Sequence, residues 1–187
     1  MLDPLLQQTL ALALAALFGA AVIHKLVAMR EWPGIVHSYA LLPNVLVLPV
    51  AAALIGAEAL AAVALMLPKL RPLGGALAGA LLALYAAALS INLWRGRTSI
   101  DCGCFAGRLR HGIAPWMVAR NLVLGALALT LLLPASARPT TLTDDAVAVV
   151  CALTLAFLYP VLTVAARPPP PTFDQNYRIT SGGSTTR

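Results

Sequence analysis

The stretch from Leu73 to Trp94, LGGALAGALLALYAAALSINLW, carries no charged side chain. An α-helix of about 20 apolar residues crosses the hydrocarbon core of a bilayer, which is about 30 Å thick. The whole chain has the same character: its 187 residues are 60% hydrophobic and 11% charged, with a mean hydropathy of +0.84. Such a chain has too little polar surface to cover a water-soluble globule. The sequence therefore predicts an integral membrane protein.

Prolines, glycines and charged residues divide the rest of the sequence into further apolar runs of similar length. These runs predict an all-α fold, a polytopic transmembrane helix bundle with a four-helix core and a fifth helix, in one domain, 1–166. The first run lacks the positively charged start of a secretory signal, so we expect it to be retained. The Pro-, Ser-, Gly- and Thr-rich residues 167–187 are predicted to form a disordered tail. The predicted spans are 5–29, 45–67, 73–94, 115–133 and 146–166.

Five crossings place three segments on one side of the membrane: the connection after the first span, the connection between the third and fourth spans, and the C-terminus. We call this the dithiol side, because the second of these segments contains Cys102 and Cys104. Small residues within the spans predict that the helices approach one another closely. They are Gly19-Ala20-Ala21, Gly56-Ala57 and Gly74-Gly75 with Gly79.

The fifth span has two further features. The acidic sequence Thr143-Asp144-Asp145 precedes it and is predicted to cap its N-terminus, where the helix dipole favours negative charge. Cys151 lies near the start of this span, on the face opposite the dithiol. We predict that it is a small buried apolar residue rather than a third redox thiol.

A single residue, Gly103, separates the two cysteines of the dithiol. In an extended segment residues i and i+2 face the same way, and glycine can adopt the backbone angles that a tight ring requires. A disulfide between Cys102 and Cys104 would close a small, strained loop, and strain raises the reduction potential of such a bond. The pair is therefore suited to exchanging electrons.

Charged groups near the pair bear on its reactivity. Asp101 would oppose a neighbouring thiolate but could accept a proton when the dithiol is oxidised. An inert pair and a fixed structural disulfide stay open as alternatives. A zinc site has less support, because it needs four ligands and only His111 offers a nearby third. Four arginines and the positive N-terminal end of the fourth span would favour the nucleophilic thiolate. These arginines are Arg95, Arg97, Arg108 and Arg110.

Placing an ionisable or amide side chain within a membrane span costs free energy, so each such residue is a candidate for a functional role. Glu58 lies roughly mid-span, and it can be held by an ion pair with Arg120 or Lys25, or by protonation. The cluster either orients the helices or takes part in thiol oxidation. The other members are His24, Lys25, Asn92, Arg120 and Asn121, all on the dithiol side of their spans.

Aromatic residues could flank the dithiol and stack on a quinone. They are Trp94, Phe105 and Trp116. The alternative is that the tryptophans are ordinary residues of the membrane interface, where Trp is enriched.

Three stretches of the sequence together resemble one known family. The stretches are Asn92-Leu93-Trp94-Arg95-Gly96-Arg97, then Ile100-Asp101-Cys102-Gly103-Cys104-Phe105, then Arg120-Asn121-Leu122. In this order they resemble the MauE family of methylamine-utilisation proteins. The His24-Lys25-Leu26 end of the first span and Glu58 are similar to the wider DoxX-like group of redox-associated membrane proteins.

The resemblance implies a thiol-disulfide oxidoreductase of the membrane, with Cys102 and Cys104 as its redox pair. Its partner would be a thioredoxin-like protein of the MauD type, and the final substrate would be the small subunit of methylamine dehydrogenase. A more distant similarity in layout to vitamin K epoxide reductase and DsbB implies a quinone as a possible electron acceptor. Competing hypotheses are a non-enzymatic scaffold for the thioredoxin-like protein and an electron relay across the membrane.

The distribution of basic residues bears on partners and on sidedness. The net charge is +6, but the basic residues lie at the ends of apolar runs, which indicates lipid headgroups and not nucleic acid as partners. Most of the 13 Lys and Arg residues lie on the dithiol side, which by the positive-inside rule predicts a cytoplasmic dithiol. The role implied by the family is periplasmic, where disulfides form. We expect a bacterial inner membrane protein with the dithiol on the periplasmic side.

Overall fold

The computed structural model is all-α, which confirms the predicted fold class. It describes residues 2–98, 113–134, 136 and 141–165, with side chains in the last range as far as Thr154. Within these ranges the helices are α1 (Pro4–Val27), α2 (Trp32–Ser38), α3 (Asn44–Met66), α4 (Arg71–Trp94), α5 (Pro115–Thr130) and α6 (Leu142–Ala165). The described residues as far as Ala156 form one compact unit. The predicted tail, 167–187, lies outside the described residues.

Within the residues that the structure describes, three helices are long and apolar enough to cross a membrane: α1, α3 and α4. Helix α5 is apolar but shorter, because the chain leaves it in tight turns in which Leu131, Leu132 and Leu133 each donate a hydrogen bond to a residue three positions earlier. Large aliphatic side chains are exposed along all of these helices. A surface of this kind suits lipid, so the chain is a multi-pass membrane protein.

The helices depart most clearly from the predicted spans at α2 and α6. Helix α2 was not predicted; its Pro33 occupies the first turn, where a missing backbone N–H costs no hydrogen bond. Helix α6 begins at Leu142 and not at Ala146. Its cap is Thr141, whose hydroxyl accepts a hydrogen bond from Asp144 N–H at 3.3 Å while Asp144 Oδ2 accepts one from Thr141 N–H at 2.9 Å. The predicted cap was therefore two residues too late.

The helices pack as antiparallel neighbours, α1 on α3, α3 on α4 and α4 on α5. The glycines of α4 allow this: a Cβ atom on Gly74 would lie 2.7 Å from Leu65 N, and one on Gly75 would lie 2.7 Å from Ala128 O. The prediction of close approach is confirmed at these positions. It is wrong for Gly19 and Gly56, where a Cβ atom would meet nothing within 4 Å.

Gly75→Ala is expected to lower the free energy of unfolding by about 1–3 kcal/mol, because the added methyl group would force the backbones of α4 and α5 apart. Gly56→Ala is the matched control. It adds the same methyl group in open space and should stabilise α3 by about 0.5–1 kcal/mol. Reversible unfolding in detergent, followed by circular dichroism, measures both. Equal effects of the two substitutions would contradict the packing described here.

Side-chain hydrogen bonds link α1 to the end of α5 and to the start of α6, at the end of the bundle opposite the dithiol. Gln7 Nε2 donates to Leu133 O at 3.1 Å, so the start of α1 is fixed to the end of α5. Gln8 Nε2 donates to Asp145 Oδ1 at 3.0 Å, in the first turn of α6. The start of α1, the end of α5 and the start of α6 therefore lie at one end, as the predicted order of crossings requires.

Candidate functional site

The segment that carries the dithiol leaves the end of α4 and returns at the start of α5. Its predicted site residues are Asp101, Cys102, Gly103, Cys104, Phe105 and Arg108, and they lie outside the described residues. The helix ends on either side are described. Leu89 of α4 packs with Ile113 and Met117 in a buried apolar cluster, so the two ends are held against each other.

The arginines at the end of α4 anchor a neighbouring segment. Arg95 Nη1 donates to Ala40 O at 3.2 Å, and Arg97 Nη1 donates to Tyr39 O at 3.4 Å. Tyr39 also packs against the Leu89 cluster. The connection between α2 and α3 therefore lies beside the point at which the dithiol segment begins. The prediction that these charges favour a thiolate stays a prediction.

A buried polar cluster joins three helices in the middle of the bundle. Lys25 of α1 and Glu58 of α3 form an ion pair through Lys25 Nζ and Glu58 Oε1. The hydroxyl of Tyr85, on α4, donates to the same carboxylate oxygen at 2.5 Å and accepts a hydrogen bond from Lys25 Nζ at 3.2 Å. Lys25 is 4% exposed and Glu58 is 1% exposed. Burial of this kind is tolerated because each charge has a charged partner and a hydrogen bond.

Trp32 of α2 closes this cluster on the dithiol side. The ammonium of Lys25 lies 4.5 Å from the centroid of the Trp32 ring and 5.2 Å from that of the Tyr85 ring. An aromatic face attracts a cation, more strongly where water is excluded. Trp32 Nε1 donates to Ala51 O at 3.0 Å, which fixes the ring against α3.

The structure thus selects one of the two ion pairs predicted for Glu58, the pair with Lys25. Sequence reasoning missed Tyr85 and Trp32. Tyr85 carried a usable signal, since it is seven residues before Asn92 and therefore lies on the same face of α4. The signal of Trp32 was weaker, because tryptophan is common wherever a span meets the membrane surface.

Two amides flank the cluster. Asn92, fully buried, donates from Nδ2 to Ala88 O at 3.0 Å, and Asn121 is buried on the face of α5 that packs against α4. Asn92 Oδ1, Asn121 Nδ2 and Glu58 Oε2 have no hydrogen-bond partner within the described part of the chain. A buried polar atom in this state is uncommon in a folded protein.

The remaining predicted residues lie around this cluster. The guanidinium of Arg120, half-buried on α5, lies 5.3 Å from the centroid of the Trp116 ring. His24 is half-buried in the last turn of α1. Trp94 is 90% exposed at the end of α4, as expected of a residue at the membrane interface.

Cys151 is exposed on α6, so the prediction that it is buried is wrong. It lies about 13 Å along the helix from Leu142, at 1.5 Å per residue, and so is further into the span than the sequence suggested. Within the described ranges, no group of three His, Cys, Asp or Glu side chains could hold a metal ion.

Tyr85→Phe is expected to lower the free energy of unfolding by about 1.5–3 kcal/mol, because it removes a hydrogen bond to a buried charge. Ser90→Ala, one turn and a half along α4, is the control. It removes only the bond from Ser90 Oγ to Ala86 O within the same helix, at 2.8 Å, and should have little effect. Unfolding of both variants in detergent provides the measurement. A Tyr85→Phe variant as stable as Ser90→Ala would show that the hydroxyl does not support the ion pair.

Comparison with known proteins gives one consistent result. The family model described as "Methylamine utilisation protein MauE" matches residues 4–134, a range that runs from the start of α1 to just beyond the end of α5. A methylamine utilization protein MauE of Paracoccus denitrificans is 40% identical over 161 residues, 85% of this chain and 86% of the relative. The protein of the same name in Paracoccus versutus is 42% identical over 159 residues, 84% of this chain and 85% of the relative. No solved structure matches the chain significantly.

Proposed function

This chain belongs to the MauE family of methylamine utilisation proteins, and we propose that it exchanges disulfides with a thioredoxin-like partner through Cys102 and Cys104. The partner is of the MauD type, and the exchange serves maturation of the small subunit of methylamine dehydrogenase. The protein resides in the bacterial inner membrane, with the dithiol on the periplasmic side.

This proposal is supported by the packing at the dithiol end of α4 and α5. Leu89, Ile113 and Met117 hold the two helix ends together, so both ends of the chain segment that bears the cysteines are fixed next to each other. Arg95 and Arg97, just after α4, donate hydrogen bonds to Ala40 and Tyr39. Two neighbouring thiols attached to a rigid base are suited to reacting with a partner outside the membrane.

The proposed chemistry balances without any further reactant. One partner thiolate attacks the Cys102–Cys104 disulfide, which breaks the S–S bond, forms a mixed disulfide and releases one cysteine as a thiolate. The second partner thiol then attacks the mixed disulfide and releases the other cysteine. The partner is oxidised to a disulfide, and the pair in this chain is reduced to a dithiol. The reverse sequence reduces the partner.

The positive charge around the pair supports the reactive form of the thiol. Arg95 and Arg97 lie exposed at this end of the bundle, and the N-terminus of α5 begins at Pro115, shortly after the loop. Cations and helix N-termini stabilise a thiolate. The positive-inside rule alone would place this basic side in the cytoplasm. A role of the arginines in stabilising a thiolate explains why a periplasmic side would nevertheless be basic.

Trapping of a mixed disulfide tests the proposal. Cys102→Ser and Cys104→Ser variants are each expressed with a thioredoxin-like protein of the MauD type, and membranes are quenched with acid before non-reducing electrophoresis and mass spectrometry. One of the two variants is expected to accumulate a covalent complex through its remaining cysteine, because the residue that would resolve the complex is gone.

Cys151→Ser is the control and should form no more complex than the unmodified chain. If neither single variant yields a complex while both fold and bind the partner, a scaffold role replaces thiol exchange. An impermeant thiol reagent applied to intact cells tests the sidedness, since a periplasmic Cys102 reacts before lysis and a cytoplasmic one does not.

A further inference from the structure

Three buried polar atoms without a partner among the described residues belong to side chains in the interior of the bundle, Glu58, Asn92 and Asn121; another, Arg71 Nε, lies in the first turn of α4 at the opposite end. Asn92 lies two helical turns beyond Tyr85 on the same face of α4, about 10.5 Å nearer the dithiol end at 1.5 Å per residue. A Cβ atom on Gly125 of α5 would lie 3.6 Å from Leu82 Cβ. Asn121 is one turn from Gly125 toward the dithiol end, so it lies level with Tyr85. Asn92 therefore lies between Glu58 and the dithiol end, and Asn121 lies at about the level of Tyr85 and Glu58.

The other half of the bundle, which we call the dry half, packs through apolar side chains. Between Glu58 and the opposite end, the helices meet through one continuous cluster of buried apolar side chains. A Cβ atom on Gly75 would lie 2.8 Å from Leu131 Cβ, and one on Gly74 would lie 3.0 Å from Leu65 Cγ. Such distances show that the helices are closely packed at these two glycines. The cluster includes Phe18, Ala61, Leu65, Ala78, Leu81 and Leu131.

The two oxygens of the Glu58 carboxylate differ in their surroundings. Oε1 accepts hydrogen bonds from Lys25 Nζ and from the Tyr85 hydroxyl. Oε2 is buried and has no partner among the described residues. An ionised carboxylate oxygen in an apolar medium needs a donor, and ordered water is the usual donor where the protein supplies none. Oε2 is therefore the atom open to a water molecule or a proton.

We propose that Glu58, positioned by Lys25 and Tyr85, is a proton-exchange site inside the bilayer that water reaches from the dithiol end and not from the opposite end. A proton arrives from water in this path, binds Glu58 Oε2 and gives a neutral carboxylic acid; it returns to the same water on release. Asn92 Oδ1 and Asn121 Nδ2 hold the water of the path by accepting and donating hydrogen bonds.

The groups that face this carboxylate are Lys25 from α1 and Tyr85 from α4. Helix α2 contributes Trp32, which does not titrate and contacts the ammonium of Lys25. Proton exchange at Glu58 does not depend on thiol exchange at the dithiol. The experiments below measure water access and protonation at Glu58. If they fail, the proposed thiol exchange is unaffected, and if thiol exchange fails, proton exchange at Glu58 is unaffected.

Thiol accessibility in sealed proteoliposomes tests the path. The background is full-length protein with its three cysteines replaced by serine. Single cysteines are then introduced by Asn92→Cys and Asn121→Cys. The controls are Ala61→Cys and Ala78→Cys, because both alanines are fully buried in the dry half. Thr98→Cys, exposed beyond α4, marks the orientation of the protein in the vesicle. A small, charged methanethiosulfonate is added from one side at a time.

Asn92→Cys and Asn121→Cys are expected to react at least about tenfold faster than the two alanine positions, and only when the reagent is on the side that labels Thr98→Cys, because water-filled space lets a charged reagent enter. Reaction as slow as that of Ala78→Cys would overturn the proposal. Faster reaction from the opposite side would overturn it as well.

A second measurement uses the unsubstituted chain and guards against misfolded variants. Glu31 and Glu58 are its two glutamates, so uniform carboxyl-¹³C glutamate gives two resonances, which Glu31→Gln assigns. The Glu58 resonance is expected to move between two limits as the pH of the bulk solution is changed. A Glu58 resonance that keeps one position while that of Glu31 titrates would overturn the proposal.

Discussion

Lys25→Met is expected to lower the free energy of unfolding by about 3–5 kcal/mol, because it leaves Glu58 buried without its cation. Glu58→Leu removes the other partner and should destabilise in the same way. The double variant should lose much less than the sum of the two, since well-packed apolar residues can replace a buried ion pair at little cost. A double-mutant cycle, measured by reversible unfolding in detergent, gives the coupling energy.

The two single variants are not expected to be equal. Lys25 is two residues from the end of α1, and a long basic side chain near a helix end can extend its ammonium to the membrane surface. Glu58 is in the interior of α3 and has no such route. Lys25→Met should therefore be the more harmful change, because the carboxylate that it leaves behind cannot extend to the membrane surface and can lose its charge only by taking up a proton.

His37 and Asn44 provide a control pair. Their side chains share a hydrogen bond of 3.0 Å at an exposed position, and a cycle of alanine variants should give a coupling of no more than about 0.5 kcal/mol. A coupling between Lys25 and Glu58 as small as that of the control pair would mean that the two groups do not form an ion pair in the membrane.

Replacement of both Cys102 and Cys104 by serine is expected to abolish function, with a loss on the order of 100-fold or more in matured methylamine dehydrogenase. The estimate follows from the behaviour of covalent catalysts that lose their nucleophile. Serine keeps the size and the polarity of the side chain, so the folded bundle should survive. The measurement is dehydrogenase activity in cells whose own copy of the gene has been replaced by the variant.

Cys151→Ser is the matched control for this experiment. Cys151 is exposed on α6, outside the range shared with the family model, and its replacement should leave the amount of active dehydrogenase unchanged. Full activity with the double serine variant would assign the protein a scaffold role. Loss of activity with Cys151→Ser would instead favour an electron relay across the membrane.

The sequence predicted the architecture well because apolar runs of about 20 residues have few alternatives to a membrane helix. The start of α6 was harder to place, since several Thr and Asp residues in succession can each supply a cap. Small residues predicted close approach at Gly74 and Gly75 but also at Gly19 and Gly56, which meet open space. Composition alone does not say which face of a helix meets a neighbour and which meets lipid.

The candidate site was predictable in part. Lys25 and Glu58 stood out because charge within a span is rare. Their pairing was not fixed, because the sequence gives no register between α1 and α3, and Arg120 was an equal candidate. Tyr85 escaped notice because an aromatic residue in an apolar run usually signifies packing. Only the fold shows that its hydroxyl meets the carboxylate.

Thiol exchange at Cys102 and Cys104 can be measured with purified proteins. The full chain, with Cys102 and Cys104 oxidised, is mixed in lipid nanodiscs with a reduced thioredoxin-like protein of the MauD type, and thiols are alkylated over time and counted by mass spectrometry. We predict that one dithiol appears at Cys102 and Cys104 for each disulfide formed in the partner. Oxidation of the partner at the same rate by the double serine variant, or none with the unmodified chain, would contradict the account.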